Sequence, residues 1–324
     1  MPYRRHHPRA RNEPCIRISS DAGQGARTRC RHFGLPFGAR RQGPRNGHRR
    51  ARGKGLTGVG RIAAAFENAR NENRATLVIY LCAGDPDLDA TVELAVAAAE
   101  SGADVIELGV PFSDPTADGP AIQRAAERSL RGGTTLAKVL DTVRSIRRRT
   151  EVPILLFGYY NPILVYGEQK LVDDAADSGA DGFLVVNLPP EESAGLREPA
   201  IARGLDFVPL VAPTSDPRRI KQAGEMATSF IYYVSMTGVT GSAASDLASA
   251  AQRASALQRE LGRPLAIGFG VKTKADVATV SPQVEGVVVG SAVVQAIEAA
   301  PSTEAAVTAV RALVSDLAGG LSRR

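Results

Sequence analysis

The sequence predicts an α/β protein, a (β/α)8 TIM barrel, preceded by a basic N-terminal extension expected to be disordered. Three observations carry that prediction. Between residues 77 and 291 eight short apolar runs recur, each bounded by Gly, Pro or Asp and each followed by a helical pattern. Most of the runs are continuously apolar rather than alternating, which is how strands covered on both faces of a parallel sheet read. Eight strand–helix units in this length also match the count and size of a closed barrel. Periodicity alone does not show closure, so a doubly wound open sheet stays open as the alternative.

The extension comes first. Residues 1–55 hold 14 Arg and one Lys against only Glu13 and Asp21, a net of +13. The other 269 residues carry 25 basic and 32 acidic side chains, a net of −7. The overall charge of +6 therefore averages two unlike segments, and it is no guide to an anionic partner of the body. The extension has few large apolar residues and no sustained period, so it cannot bury enough surface to offset its ordering entropy. Residues 1–58 are read as this disordered segment and 59–324 as the catalytic barrel. Four origins compete for the extension. A secretory signal lacks its apolar core, and a transit peptide would be richer in serine than Ser19 and Ser20 make it. A nucleic-acid-binding arm would rest on charge alone. Upstream sequence, with the working protein beginning near Val59 or Gly60, is the leading reading, and a transit peptide, whose Arg-rich, acid-poor balance fits, and a functional arm stay open.

The body then unfolds in order. RIAAAFENARNE (61–72) has Ile62, Ala65 and Phe66 at helical spacing. The apolar runs follow at 77–82, 105–112, 154–160, 183–188, 207–212, 230–235, 264–269 and 286–291. Between them lie helical patterns such as 89–101, 191–203 and 245–260, and 293–318 reads as two helices split at Pro301. Hydrophobic residues make up 44% of the chain, enough for one large core. No apolar stretch reaches the roughly 18–20 residues of a membrane span. Three scattered cysteines, Cys15, Cys30 and Cys82, form neither a disulfide framework nor a zinc site, which fits a reducing cytoplasm. All four histidines (His6, His7, His32 and His48) lie in the extension. The body must therefore work without Ser-His triads, histidine acid–base chemistry or histidine-ligated metals.

In a barrel the chemistry sits at the C-terminal ends of strands and in the loops after them. Ionisable residues there are Asp85, Glu107, Asp114, Asp118, Glu191 and Glu192. Glu107 is the anomaly, a carboxylate inside the apolar run VIELGVPF, where burial is costly. Strand alternation puts it on the face of Val105, Gly109 and Pro111, expected to point inward. Burial there would raise its pKa and suit it to proton transfer near neutral pH. A glutamate paired with an arginine at the rim is the competing reading. Eleven residues on, Asp118 sits in the polar loop SDPTADGP (113–120), where it is either a helix cap or the partner of Glu107. Asp85 and Asp114, each before a proline, are read as turn or cap residues. GFG (268–270) and VGSA (289–292) end the seventh and eighth runs and lead into helices, the place where barrels bind phosphate. TGVTG (237–241) has the composition of a closing lid.

ELGVPFSDPTADGPAIQ (107–123) resembles the signature of the tryptophan synthase alpha subunit family, including the spacing of its two carboxylates. YLCAGDP (80–86), GYYNP (158–162), LPPEES (188–193), TGVTG, GFGV and VVGSA follow in that family's order, so the resemblance spans about residues 60–318. It implies a cytoplasmic lyase of tryptophan biosynthesis that cleaves indole-3-glycerol phosphate into indole and glyceraldehyde 3-phosphate. No cofactor or metal of its own is implied. The implied partner is a PLP-dependent beta subunit in an α2β2 heterotetramer, with no membrane and no nucleic acid expected. By the same resemblance Glu107 is the acid–base glutamate and Asp118 the indole-contacting aspartate. Tyr80, Tyr159, Val211, Tyr232 and Thr240 fall at substrate-pocket positions, and Gly241, Gly270, Gly290 and Ser291 at the phosphate site. Departures are Cys82 for a usual Thr, Thr116 for an aliphatic residue, and Asn187 for the aspartate after the fourth strand. Two other readings remain: a free-standing lyase without a beta partner, and a non-catalytic barrel whose basic arm binds nucleic acid.

Given carbon–carbon cleavage, three electron sinks are available. A Schiff-base lysine is poorly served, since all six lysines lie outside the runs and only Lys272 is near a strand end. A metal-bound enolate is disfavoured by the histidine-free body. The third sink is the substrate's own indole ring, protonated at C3. It needs one carboxyl to move protons and one anion beside the ring N–H, the roles assigned to Glu107 and Asp118.

Overall fold

A computed structural model describes residues 60–234, 243–268 and 270–321. The expectations for the extension 1–58 and for the lid 237–241 lie outside the described residues.

Nine parallel strand segments form one sheet: β1 (Thr76–Cys82), β2 (Val105–Gly109), β3 (Ile154–Gly158), β4 (Gly182–Val185), β5 (Asp206–Phe207), β6 (Leu210–Val211), β7 (Ile231–Val234), β8 (Leu265–Gly268) and β9 (Gly286–Val289). β1 pairs with β2 on one side and with β9 on the other. The far ends of the series are β5, paired with β4, and β6, paired with β7. These two segments are a single run of chain, the expected fifth strand 207–212, interrupted at Val208-Pro209. Val208 N–H still donates to Phe183 O at 2.9 Å, and Pro209 O accepts from Tyr232 N–H at 2.9 Å. Proline has no N–H to give to a ladder, so the regular pairing breaks there while the strand passes through. Counted as one, β5 and β6 occupy the fifth of eight positions and the sheet closes on itself. That removes the open-sheet alternative.

The helices are α1 (Arg61–Asn71), α2 (Leu88–Glu100), α3 (Pro120–Arg131), α4 (Leu136–Arg147), α5 (Tyr160–Tyr166), α6 (Glu168–Ser178), α7 (Ala194–Ala202), α8 (Pro217–Met226), α9 (Ala243–Leu261), α10 (Lys274–Val280), α11 (Ser291–Glu298) and α12 (Thr303–Ala318). Side-chain caps start several of them: Asp87 on Ala90 N–H for α2, Asp216 on Arg219 N–H for α8, and a Thr273/Asp276 capping box for α10. The segment 293–318 divides near Pro301 as expected. α5 departs from the expected strand through Tyr160: β3 ends at Gly158, and the rest of the third apolar run turns into helix.

Strand alternation sorts the core into two layers. Val78, Tyr80 and Cys82, Val105, Leu155 and Phe157, Leu184, Val208, Phe230 and Tyr232, Ala266 and Val288 fill the barrel. Leu77, Ile79, Leu81, Ile106, Leu108, Leu156 and Phe183 face outward under the helices. α1 closes the N-terminal end, where Ile62 and Phe66 join the inner layer and Phe66 stacks on Phe230 at 4.9 Å. The opposite end is therefore the one left to receive a ligand. Among the described residues no helix is long and apolar enough to cross a membrane.

Candidate functional site

Glu107 follows Val105 by two residues on β2, so it points into the barrel, and it is 1% exposed. Its Oε1 has no hydrogen-bond partner among the described residues. Among the described residues no arginine pairs with it, unlike the alternative of a pair at the rim. Burial pushes its carboxyl up to about 8, with a smaller push from the negative charge of Asp118. The second cause puts the two carboxyls within electrostatic reach of one another. Asp118 is not a cap either: the N-cap of α3 is Gly119, which makes no side-chain cap bond. Burial lifts the Asp118 carboxyl to about 6, opposed by a hydrogen bond from the Tyr159 hydroxyl. Both carboxyls are thus pushed up, Glu107 further than Asp118, so Glu107 is the one more readily kept neutral and Asp118 the one more readily ionised.

Three tyrosines frame the two carboxyls. Tyr159, the N-cap of α5, accepts from Ala117 N–H at 3.0 Å and so ties the loop that carries Asp118 to the end of β3. Burial and the Asp118 charge push its own hydroxyl up to about 12. Tyr80 on β1 sits beside Glu107, its partner in the strand register, and meets Phe157 edge-on at 5.6 Å. Its hydroxyl occupies the space a side chain at Gly109 would need, and the Tyr232 hydroxyl does the same over Gly268. Glycine at these two strand ends leaves the room that both hydroxyls occupy. Both hydroxyls are raised well above 10, mainly by burial, and stay protonated at neutral pH.

The expected phosphate residues lie nearby in part. Gly290 is the N-cap of α11 and Ser291 its first residue, so the free N–H groups of that helix open at the end of β9. A Cβ at Gly290 would come within 3.3 Å of the Tyr80 Cβ, which places this helix start against the tyrosine. Gly270 has a φ of +87°, a conformation that favours glycine. Thr240 and Gly241 lie outside the described residues.

Two expectations are corrected. Val211 does not line the interior: it belongs to the outer layer, and Leu210 packs against the inner one. Alternation continues across Pro209, so residues 208 and 210 face in and 207 and 211 face out. Asp85 is neither the cap nor merely a turn former. The cap of α2 is Asp87, and Asp85 is buried and held by Nε and Nη2 of the Arg128 guanidinium at 2.8 and 2.9 Å. That arginine was missed. Its i, i+4 spacing with Arg124 was the one signal in the sequence that both share a helix face.

The departures from the family pattern also have places. Cys82 faces the interior, buried, and its thiol is pushed up chiefly by burial. Thr116 is exposed in the loop before Asp118. Asn187 bridges two elements: its Oδ1 accepts from Tyr160 N–H at 2.7 Å and its Nδ2 donates to Asn161 Oδ1 at 3.1 Å. An aspartate could make the first bond and not the second.

A family model described as tryptophan synthase alpha chain matches residues 66–321. A tryptophan synthase alpha chain of Geobacter sulfurreducens is 49% identical over 240 residues, 74% of this chain and 91% of that one. One of Geotalea daltonii is 43% identical over 264 residues, 82% of this chain and all of that one. Among solved structures, the tryptophan synthase alpha subunit of Legionella pneumophila superposes with a TM-score of 0.73 at 37% identity, covering 81% of this chain and 98% of that one. A chain of Mycobacterium tuberculosis tryptophan synthase gives 0.73 at 33% identity, covering 82% and 99%.

Proposed function

We infer the chemistry of the site from one premise: the chain belongs to the tryptophan synthase alpha chain family. As a member it is the lyase of tryptophan biosynthesis that splits indole-3-glycerol phosphate into indole and glyceraldehyde 3-phosphate. The residue roles that follow are our proposal. The observation that supports them most is the buried Glu107 carboxyl on the inner face of β2, 1% exposed and pushed up by burial and by the charge of Asp118 in the next loop.

Glu107 gives its proton to C3 of the indole ring, which becomes an iminium cation. The Asp118 carboxylate beside the ring N–H stabilises that charge. Glu107, now a carboxylate, takes the proton of the hydroxyl on the adjacent glycerol carbon. The bond between that carbon and C3 breaks, its electron pair returns to the ring, and the carbon becomes an aldehyde. One proton leaves Glu107 and one returns, so the step balances without an outside acid. Tyr80, Tyr159 and Tyr232 enclose the ring and exclude water, while the N–H groups of Gly290 and Ser291, with Gly270, hold the phosphate. Thr240 and Gly241 are assigned to substrate and phosphate on the family pattern alone. Leu210 replaces Val211 in the pocket wall.

The test is an assay of the full chain with indole-3-glycerol phosphate, following indole release. Turnover supports the reading, and a folded chain without turnover overturns it.

A beta-subunit partner fits the surface beside the barrel mouth, and we place the chain in the cytoplasm as half of an α2β2 complex. Leu164 and Val165 on α5 are 61% and 89% exposed, in a helix that starts at the pocket residue Tyr159. Exposed apolar side chains next to the exit for an apolar product suit a docking face. Val165→Asp is expected to weaken the rate increase given by beta subunit at least fivefold while the beta-free rate holds. Equal stimulation of variant and parent would move the docking face elsewhere.

A further inference from the structure

The end of β1, the face of α3 and the last residue of α11 meet in one ion network that the reaction itself does not use. The Asp85 side chain, 2% exposed, takes Nε and Nη2 of Arg128 at 2.8 and 2.9 Å. The remaining arm, Nη1, reaches Glu298 Oε1 at 2.6 Å. Arg124, one turn earlier on α3, places Nε and Nη2 on the two oxygens of Glu298 at 2.8 and 2.7 Å. Ser129, next to Arg128, donates to Ala83 O at 2.5 Å and pins the same helix to the β1 turn. The carboxyl of Glu298 is held down at about 2, first by Arg124.

Each of the three elements carries part of the site. β1 carries Tyr80, α3 begins two residues after Asp118, and α11 begins at Ser291. Isolated surface ion pairs fix little. This one is different in geometry, because Arg128 is already locked by a two-armed bond to a buried carboxylate, so its third arm is a fixed post. α11 is eight residues long, about 12 Å at 1.5 Å per residue. Glu298 anchors its C-terminal end, and its N-terminal end carries the free N–H groups. A tilt of about 10° over that length moves the free N–H groups by ~2 Å, more than a hydrogen bond to phosphate tolerates.

We propose that Arg128, with Arg124, clamps Glu298 to fix the tilt of α11, making these three residues positioning residues for the phosphate end of the substrate. The inference rests on the reading of Gly290 and Ser291 as phosphate contacts. It separates the two ends of the substrate: the clamp governs the phosphate, whereas the indole lies among side chains that it does not hold.

Arg128→Gln would strand the buried Asp85 charge and endanger the fold, so the probe is Glu298→Gln, with Arg124→Gln as a second variant that leaves Asp85 and Arg128 paired. Full-length proteins are compared in steady-state cleavage of indole-3-glycerol phosphate and in inhibition by two fragments, glycerol 3-phosphate and indole. For Glu298→Gln the KM and the inhibition constant of glycerol 3-phosphate are expected to rise five- to tenfold. The indole constant should stay within twofold and kcat within threefold, with Arg124→Gln showing a smaller change of the same pattern. If KM and the glycerol 3-phosphate constant hold at parent values, or if both fragments weaken together, the clamp has no such role. A parent chain that cleaves no substrate overturns the functional reading, and the positioning role with it.

Discussion

Glu107→Gln is expected to stop indole release while leaving substrate binding measurable, and to make the protein more stable at alkaline pH. The amide fills the same volume in the barrel but cannot give a proton to C3 or take one from the glycerol hydroxyl. Loss of that proton transfer costs about 10²–10⁴-fold in kcat. The gain in stability follows from the same burial that makes the residue useful. Burial pushes the Glu107 carboxyl up to about 8 in the fold, from 4.5 when unperturbed. Between those values the unfolded chain has released the proton and the folded chain still holds it. Stability of the parent therefore falls as pH rises through this window and levels off above it. At about 1.4 kcal/mol for each tenfold change in protonation ratio, the cost reaches a few kcal/mol by pH 8. Glutamine has no such cost. Thermal melts of parent and variant should nearly coincide near pH 4.5 and separate progressively up to pH 8, the variant melting higher. Near-normal turnover in the variant would remove Glu107 from the chemistry. A variant no more stable than the parent at pH 8.5 would mean that the carboxyl ionises inside the barrel without penalty.

How far such behaviour could be read from the chain alone depends on the range of the interactions. The eight apolar runs were legible because burial on both faces leaves a local signature. Glu107 stood out for the same reason, as the one charge inside such a run. What escaped was set by distant contacts or by single backbone features. Closure needs β1 beside β9, roughly 200 residues away, and no window of sequence reports it. α5 begins where an apolar run continues without a break, so composition gave no boundary at Tyr160. Val211 was placed inside on family pattern, whereas parity counted from Val208 through Pro209 turns it outward. Asp85 looked like a turn residue because its partner, Arg128, lies 43 positions on. The network at Glu298 spans 174 positions from Arg124, and only helix packing brings those ends together. The site's two carboxyls were legible as a pair, while their unequal protonation needed the tyrosines and the depth of each side chain.

Asp118→Asn tests that inequality directly. In the parent the active form has Asp118 ionised and Glu107 protonated, so kcat/KM should rise through about 6 and fall through about 8. Asparagine keeps the shape beside the ring N–H but removes the anion that stabilises the iminium, at a cost of about 10²–10³-fold at the optimum. The profile should also change shape. The acid limb disappears, because the group that had to ionise is gone. The alkaline limb moves to lower pH, because the Asp118 charge is one of the two causes holding the Glu107 carboxyl up. Burial, the larger cause, remains, so the limb should stay well above 4.5. A pH series of kcat/KM with indole-3-glycerol phosphate from 5 to 9.5 separates the outcomes. A uniformly lowered bell with both limbs in place would assign the limbs to other groups. A limb shifted upward would mean that Asp118 stabilises the Glu107 carboxylate rather than opposing it. The loss of one limb and the descent of the other are two consequences of one removed charge. Only a pair of carboxyls within electrostatic reach, held in different protonation states, gives both.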